Sequence, residues 1–350
     1  MTTASPRQLL NTSWTAHRLS PLHHEKEFQT LLNNPDALNT YASRLRDQLT
    51  GNIFGGLQSG LSAGGEDDSF SKTGALRSCS WEMLSSWAEL TDDNAVSTVP
   101  RPSAGVLVTL EYEKVVYKAA LLSNDDTEQT ESSTSLPLLL TRLPNPLRQT
   151  FVSFLSANFD TYCSILRLPQ AFLCSALEVY FNPFIPSGSS DDDQNLNILA
   201  DVVKELHLTL SFSPSIAPNL RSLNISIPRT TFMAFVTSSP STEHPENALL
   251  ANLSSYLDKH LAMNLELNNP SAHTLAKQHA RLSKVSSGAF GIGCEGKLKL
   301  VVPEGNTATG DSAENGTQTR SEKEKLSLRA SVALLQAVIR RATPGQSQGS

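Results

Sequence analysis

Residues 136–181 read LPLLLTRLPNPLRQTFVSFLSANFDTYCSILRLPQAFLCSALEVYF. The opening run, Leu136–Leu140, is too short to cross a membrane and has the length of a buried strand. Pro144, Asn145 and Pro146 then break the chain. Asn145 is a natural N-cap, and Pro146 at the first helical position loses no hydrogen bond. Leu147, Phe151, Phe154, Leu155 and Asn158 follow at helical spacing, so one face of that helix is apolar. From Phe159 the period changes to two, with Phe159, Thr161, Cys163 and Ile165 opposed to Tyr162, Leu166 and Leu168. After Pro169 a second helix carries Phe172, Leu173, Ala176, Leu177 and Tyr180. This strand–helix–strand–helix unit is the longest unbroken apolar pattern in the chain, and the other elements are expected to pack on it.

Upstream, alternation over Leu10–Leu22 predicts a strand ending at Pro21. Asn34 and Pro35 open a helix with Leu38, Tyr41, Ala42, Leu45 and Leu49 inward, ended by Gly51. Leu76–Trp87 is a further strand candidate, and Gly105–Leu122 predicts a hairpin turning near Glu113 and Lys114. Downstream, Lys204–Phe212 and Leu220–Ile227 predict neighbouring strands. Pro228–Val236 and His244–Met263 predict helices. Ser283–Val302 predicts two strands joined at Glu295–Gly296. Glu322–Arg341 predicts a last helix with Leu328, Val332, Leu335 and Val338 on one stripe. Polar stretches near 55–70, 123–135 and 186–195 read as disordered loops, and 304–321 as a flexible linker. The expected organisation is one domain over 1–303 followed by that linker and a helix over 322–343. Strands and helices interleave without regular alternation, which favours α+β with a large, mostly antiparallel sheet.

The formal charge of −6 over 350 residues argues against coating nucleic acid through net charge, while leaving room for a local basic patch. No signal-like or membrane-length apolar run occurs, so an intracellular, soluble protein is expected. The four cysteines, Cys79, Cys163, Cys174 and Cys294, form no C-x-x-C pair and fit reduced core thiols. The scattered histidines (His23, His24, His260, His273, His279) lack ligands at metal spacing. Asp191, Asp192 and Asp193 lack the frame of a calcium loop and read as a solvated loop. Neither metal nor cofactor is expected.

Gly291–Leu298, GIGCEGKL, matches G-x-G-x-x-G and nearly matches a P-loop. The dinucleotide fingerprint needs a following helix, and the P-loop needs Ser or Thr where Leu298 stands. A Gly-rich hairpin is the better reading. A nucleotide-dependent enzyme built on 291–297, or a direct nucleic-acid-binding protein, is the alternative. Two features here could carry binding. Leu298, Leu300 and Val302 could belong to a sheet edge that pairs with a partner chain. Arg281, Lys284, Lys297 and Lys299 could meet DNA or an acidic partner.

Three stretches carry a family resemblance. LNTSWTAHRLSPLHH (Leu10–His24) with LNTYASRLRDQLTG (Leu38–Gly51), LLLTRLPNPLRQTFVSFLSANFDTYCSILRL (Leu138–Leu168) and GAFGIGCEGKLKLV (Gly288–Val301) are similar to the opening, middle and late blocks of the fungal centromere protein L family. The resemblance implies a curved, saddle-like sheet with flanking helices. It implies a nuclear, non-enzymatic scaffold subunit of the inner kinetochore, within the constitutive centromere-associated network. The implied partner is a centromere protein N homologue in a heterodimer, alongside other kinetochore subunits. Weak contact with centromeric chromatin and a homodimer stay open. No catalytic residue is carried over.

Overall fold

The computed structural model describes residues 3–24, 27–55, 73–91, 102–124, 133–185, 192–215, 217–237, 248–263, 265, 267, 279–303 and 314–343. The chain divides into two compact units. The first comprises Met1–Leu9, Trp14–Leu166 and Val338–Ser347, and the second Leu10–Ser13, Arg167–Ala337 and Gln348–Ser350.

In the first unit the elements are β1 (Thr3–Ala4), β2 (Thr12–Leu19), β3 (Leu22–His23), α1 (Pro35–Gly55), β4 (Leu76–Leu84), α2 (Ala88–Thr91), β5 (Gly105–Tyr112), β6 (Val116–Leu122), β7 (Ser133–Thr134), β8 (Leu138–Arg142), α3 (Asn145–Phe159) and β9 (Cys163–Ile165). The strand order is β1-β4-β5-β6-β8-β2, with β9 also on β2 and a separate β3–β7 pair. Every pairing in this unit is antiparallel except β1 with β4. Alternation decides the faces. Trp81, Met83, Val106, Val108, Leu110, Leu121 and Leu139 turn inward and meet the stripes of α1 and α3. Trp81 is the centre of this core, with ring centroids 6.1 Å from Tyr41 and Phe154 and 6.3 Å from Phe159. Burying each such side chain stabilises the fold by about 1.5–3 kcal/mol.

The second unit contains α4 (Gln170–Phe181), α5 (Asp192–Val203), β10 (Leu206–Phe212), β11 (Ser222–Ile227), α6 (Arg229–Thr237), α7 (Ala248–Leu261), β12 (Ala280–Ser286), β13 (Phe290–Gly293), β14 (Lys297–Leu300) and most of α8 (Glu314–Ala342). Its strands run in the order β14-β13-β12-β10-β11, all antiparallel. Leu206, Leu208, Leu210, Leu282, Val285, Phe290 and Ile292 are buried on one face. Tyr180 of α4 lies on that face, its ring 4.4 Å from Phe290. Asp201 of α5 ties α6 and α8 together, 2.9 Å from Arg229 and 3.9 Å from Lys323. The α+β class and the mostly antiparallel pairing agree with the sequence reading.

Several boundaries differ. Pro144, not Asn145, is the N-cap of α3, and it offers no side-chain hydrogen bond. Asn145 is instead the first helical residue, and its Oδ1 accepts from Arg148 at 2.6 Å. Phe159 closes α3 rather than opening a strand, and only Cys163–Ile165 pair as β9. Gly51 does not end α1, which runs on to Gly55. The acidic stretch expected as a loop gives way to α5 at Asp192, where carboxylates at a helix start suit the macrodipole. The late region forms three strands, not two. The last helix begins at Glu314, and residues 304–313 of the expected linker lie outside the described residues. So does most of the loop expected near 55–70.

Candidate interaction surfaces

The basic residues picked out in the sequence meet on one open sheet face of the second unit. Register places Thr209 opposite Lys284, Lys284 opposite Gly293, and Gly291 opposite Lys299. A β-bulge at Ser283 restores the alternation, so Arg281 and Lys284 both point away from the core. Lys297 and Lys299 of β14 share this outer face, and all four cations are exposed. Between them lie Gly291, which is half-buried, and Gly293, which is buried. A Cβ at Gly293 would sit 3.8 Å from the Lys297 Cβ, which is ordinary contact, so the chain's own packing does not require glycine there. The face continues as a polar ladder across β10 and β11, with His207 Nδ1 2.8 Å from Ser226 Oγ and Thr209 Oγ1 donating to Asn224 Oδ1 at 2.9 Å. Among the described residues no carboxylate pairs with Arg281, Lys284 or Lys299.

Leu298, Leu300 and Val302 are placed differently from the expectation. All three are buried, with at most 5% exposure. The rim of β14 is also occupied. Asn11 N–H donates to the Leu300 carbonyl at 2.7 Å, and Val302 N–H donates to Asn11 Oδ1 at 2.9 Å. Asn11 reaches this position in the left-handed region, at φ 58°. These three side chains are core, and the hairpin presents Lys297 and Lys299 instead.

GIGCEGKL forms β13, a turn and β14. Gly296 takes φ 76°, the conformation a tight hairpin needs and glycine supplies. A strand follows the turn, so no helix N-terminus stands here to receive a phosphate.

The cysteines are set for packing. Burial pushes the Cys79 thiol up to about 12 and the Cys163 thiol up to about 11, which keeps both protonated near neutrality. Among the described residues no three of His, Cys, Asp and Glu gather as metal ligands. Also among the described residues, no helix is long and apolar enough to cross a membrane.

One surface escaped the sequence reading. It is an open cleft of about 550 Å³ in the first unit, between β3, α1 and the end of α3. Its members lie far apart in the chain, and no local pattern announces them.

The described residues thus define a two-unit α+β protein with four exposed cations on one sheet face. The sequence matches the family described as Centromere protein L over residues 8–343. The chain therefore belongs to the centromere protein L family, and is a nuclear protein of the kinetochore that serves chromosome segregation in cell division. No curated protein matches it individually.

Proposed function

We propose that this chain is a non-enzymatic subunit of the inner kinetochore that pairs with a centromere protein N homologue, and that the open face of its second unit meets DNA or an acidic partner. The observation that carries the second half is the cluster Arg281, Lys284, Lys297 and Lys299 on one exposed face. Exposed cations on one sheet face can reach a phosphate backbone without rearranging the core. The net charge of −6 makes this local placement decisive, because the rest of the molecule repels DNA.

Two measurements test the reading. A tagged purification should recover a centromere protein N homologue in near-equal amount by mass spectrometry. Recovery without kinetochore subunits would sink the pairing. Duplex-DNA binding, titrated against salt, should lose a log–log slope of about 0.9 for each phosphate contact removed when the four cations become glutamine. An unchanged slope would remove the face from the interface.

A further inference from the structure

The sheet of the second unit ends on β11, which pairs with β10 alone among the described residues. The register is unbroken from Ser211 opposite Ser222 to Leu206 opposite Ile227. Phe212 N–H donates to the Arg221 carbonyl at 3.1 Å, so this opposed pair is hydrogen-bonded. In an antiparallel ladder such pairs alternate with unbonded ones. Leu223, Ile225 and Ile227 therefore turn their main-chain groups toward β10. Ser222, Asn224 and Ser226 turn theirs away from the sheet, and no main-chain partner meets them among the described residues.

An open edge is ordinarily guarded by lysine, proline or a bulge, because it is a template for any extended chain. β11 has none of these. Leu223 and Ile225 stand opposite the buried Leu210 and Leu208, yet are themselves only half-buried. The core face thus runs out at β11 with apolar groups still partly in water, and a further strand would cover them.

The side chains of the edge say which strand fits. Ser222, Leu223, Asn224, Ile225 and Ser226 read alike in both directions, as hydroxyl, aliphatic, amide, aliphatic, hydroxyl. A two-fold contact needs that property, since each residue must suit the one to which symmetry sends it. Two copies set antiparallel about Asn224 bring Ser222 to the other's Ser226, Leu223 to its Ile225 and Asn224 to its Asn224. Every outward donor of one edge then meets an outward acceptor of the other. The aliphatic pairs fall on the core face. The amides and hydroxyls fall on the outer face, where they extend the ladder formed by Thr209 with Asn224 and His207 with Ser226. The paired segments carry no charge. Arg281 and Lys284 on β12 would stand about 24 Å from their counterparts, five strand spacings of about 4.8 Å, well beyond the screening length of about 8 Å.

From this pattern we infer that two copies of this chain associate through β11, antiparallel and centred on Asn224, to make one continuous sheet. Strands paired in one sheet keep their faces, so the cations of both copies come to the same side. The dimer then presents two basic faces to one ligand. The pairing itself rests on neither the phosphate reading of that face nor the centromere protein N pairing.

Light scattering on the eluting full chain, over a concentration series reaching about 100 μM, should give the mass of two chains at its upper end. The Asn224 side chain is exposed, so Asn224→Lys and Asn224→Asp should each keep the parent's circular dichroism. Each sets like charges face to face across the axis and should weaken association about tenfold or more. An equimolar mixture of the two sets lysine against aspartate and should recover dimers as the parent forms them. Association at another register or through another surface would not show that recovery. The inference is overturned if the parent stays monomeric throughout the series, if the single variants dimerise as the parent does, or if their mixture stays monomeric. Neither DNA nor another protein is present, so failure here leaves the proposed kinetochore contacts untouched.

Discussion

Gly105 occupies a backbone conformation, φ 142°, that L side chains rarely adopt, and an added Cβ would fall on the Leu121 carbonyl and the Leu122 Cα. The contact is main chain against main chain in the β5–β6 ladder, so nothing flexible can yield. Gly105→Ala should destabilise the protein by about 3 kcal/mol, combining strain with the clash, and a lowered denaturation midpoint would register it. A midpoint equal to the parent's would mean the ladder relaxes there. Residue-scale reasoning also separates two neighbours in β14. Leu300 is 2% exposed, so Leu300→Asp places an unpaired charge in the core and should leave little soluble, folded protein. Lys299 faces out, so Lys299→Glu should keep the parent's circular dichroism and midpoint while weakening any phosphate contact. If Leu300→Asp folds normally, the core placement of that strand is wrong.

At the scale of elements, α8 shows what packing adds to a stripe. The spacing of Leu328, Val332, Leu335 and Val338 predicts an amphipathic helix but not what covers it. In the structure all four are buried within the chain, along with Leu334 at 0% exposure. Leu334→Ala should therefore cost about 2–5 kcal/mol in the protein without any partner, measured by urea unfolding. A cost near zero would mean a partner, not the chain, buries that face. The same helix explains which elements were legible. Long periodic segments such as α3, α4 and the β5–β6 hairpin declare themselves because one face is uniformly apolar. What failed had a competing local signal. Three successive aspartates read as a solvated loop, although acidic residues also belong in the first turn of a helix. In β12 the bulge at Ser283 puts Leu282 and Val285 on the same face three residues apart, which breaks the period-two signal and hides a strand. Phe159 fits a two-residue period with Thr161 and a four-residue period with Leu155, and packing against Tyr41 at 4.4 Å selects the helix. Of the candidate surfaces, the four cations could be picked out because they lie close together in the sequence, on β12 and β14. The cleft could not, because His23, Tyr41 and Asp160 meet only through the tertiary fold.

For the whole molecule, several buried acids of high pKa set the response to alkali. Burial pushes the Cys79 thiol up to about 12, against an ordinary value of 9.0, and Cys163 up to about 11. Burial likewise raises the Tyr112 phenol from 10.0 to about 12, with Tyr117 and Cys79 opposing a second nearby charge. Tyr180 is raised further still, again by burial. In each case the folded chain holds its proton at a pH where the unfolded chain has released it. Above pH 9 the folded state therefore binds more protons than the unfolded state, and stability falls as pH rises. Below about 9 these groups are protonated in both states and contribute no slope. The loss should begin as the thiols of the unfolded chain ionise, deepen as its phenols follow, and level off only near 12, where the folded groups titrate. Urea midpoints at pH 7.0, 9.0 and 10.5 measure it. The midpoint should change little over the first interval and drop clearly over the second. Cys79→Ala with Cys163→Ala should lower the parent midpoint at pH 7.0 through lost packing, yet flatten the fall toward 10.5, because two of the titrating groups are gone. A double variant whose midpoint falls as steeply as the parent's would assign the alkaline response to the tyrosines alone. The cysteines would then act in this fold purely by filling space.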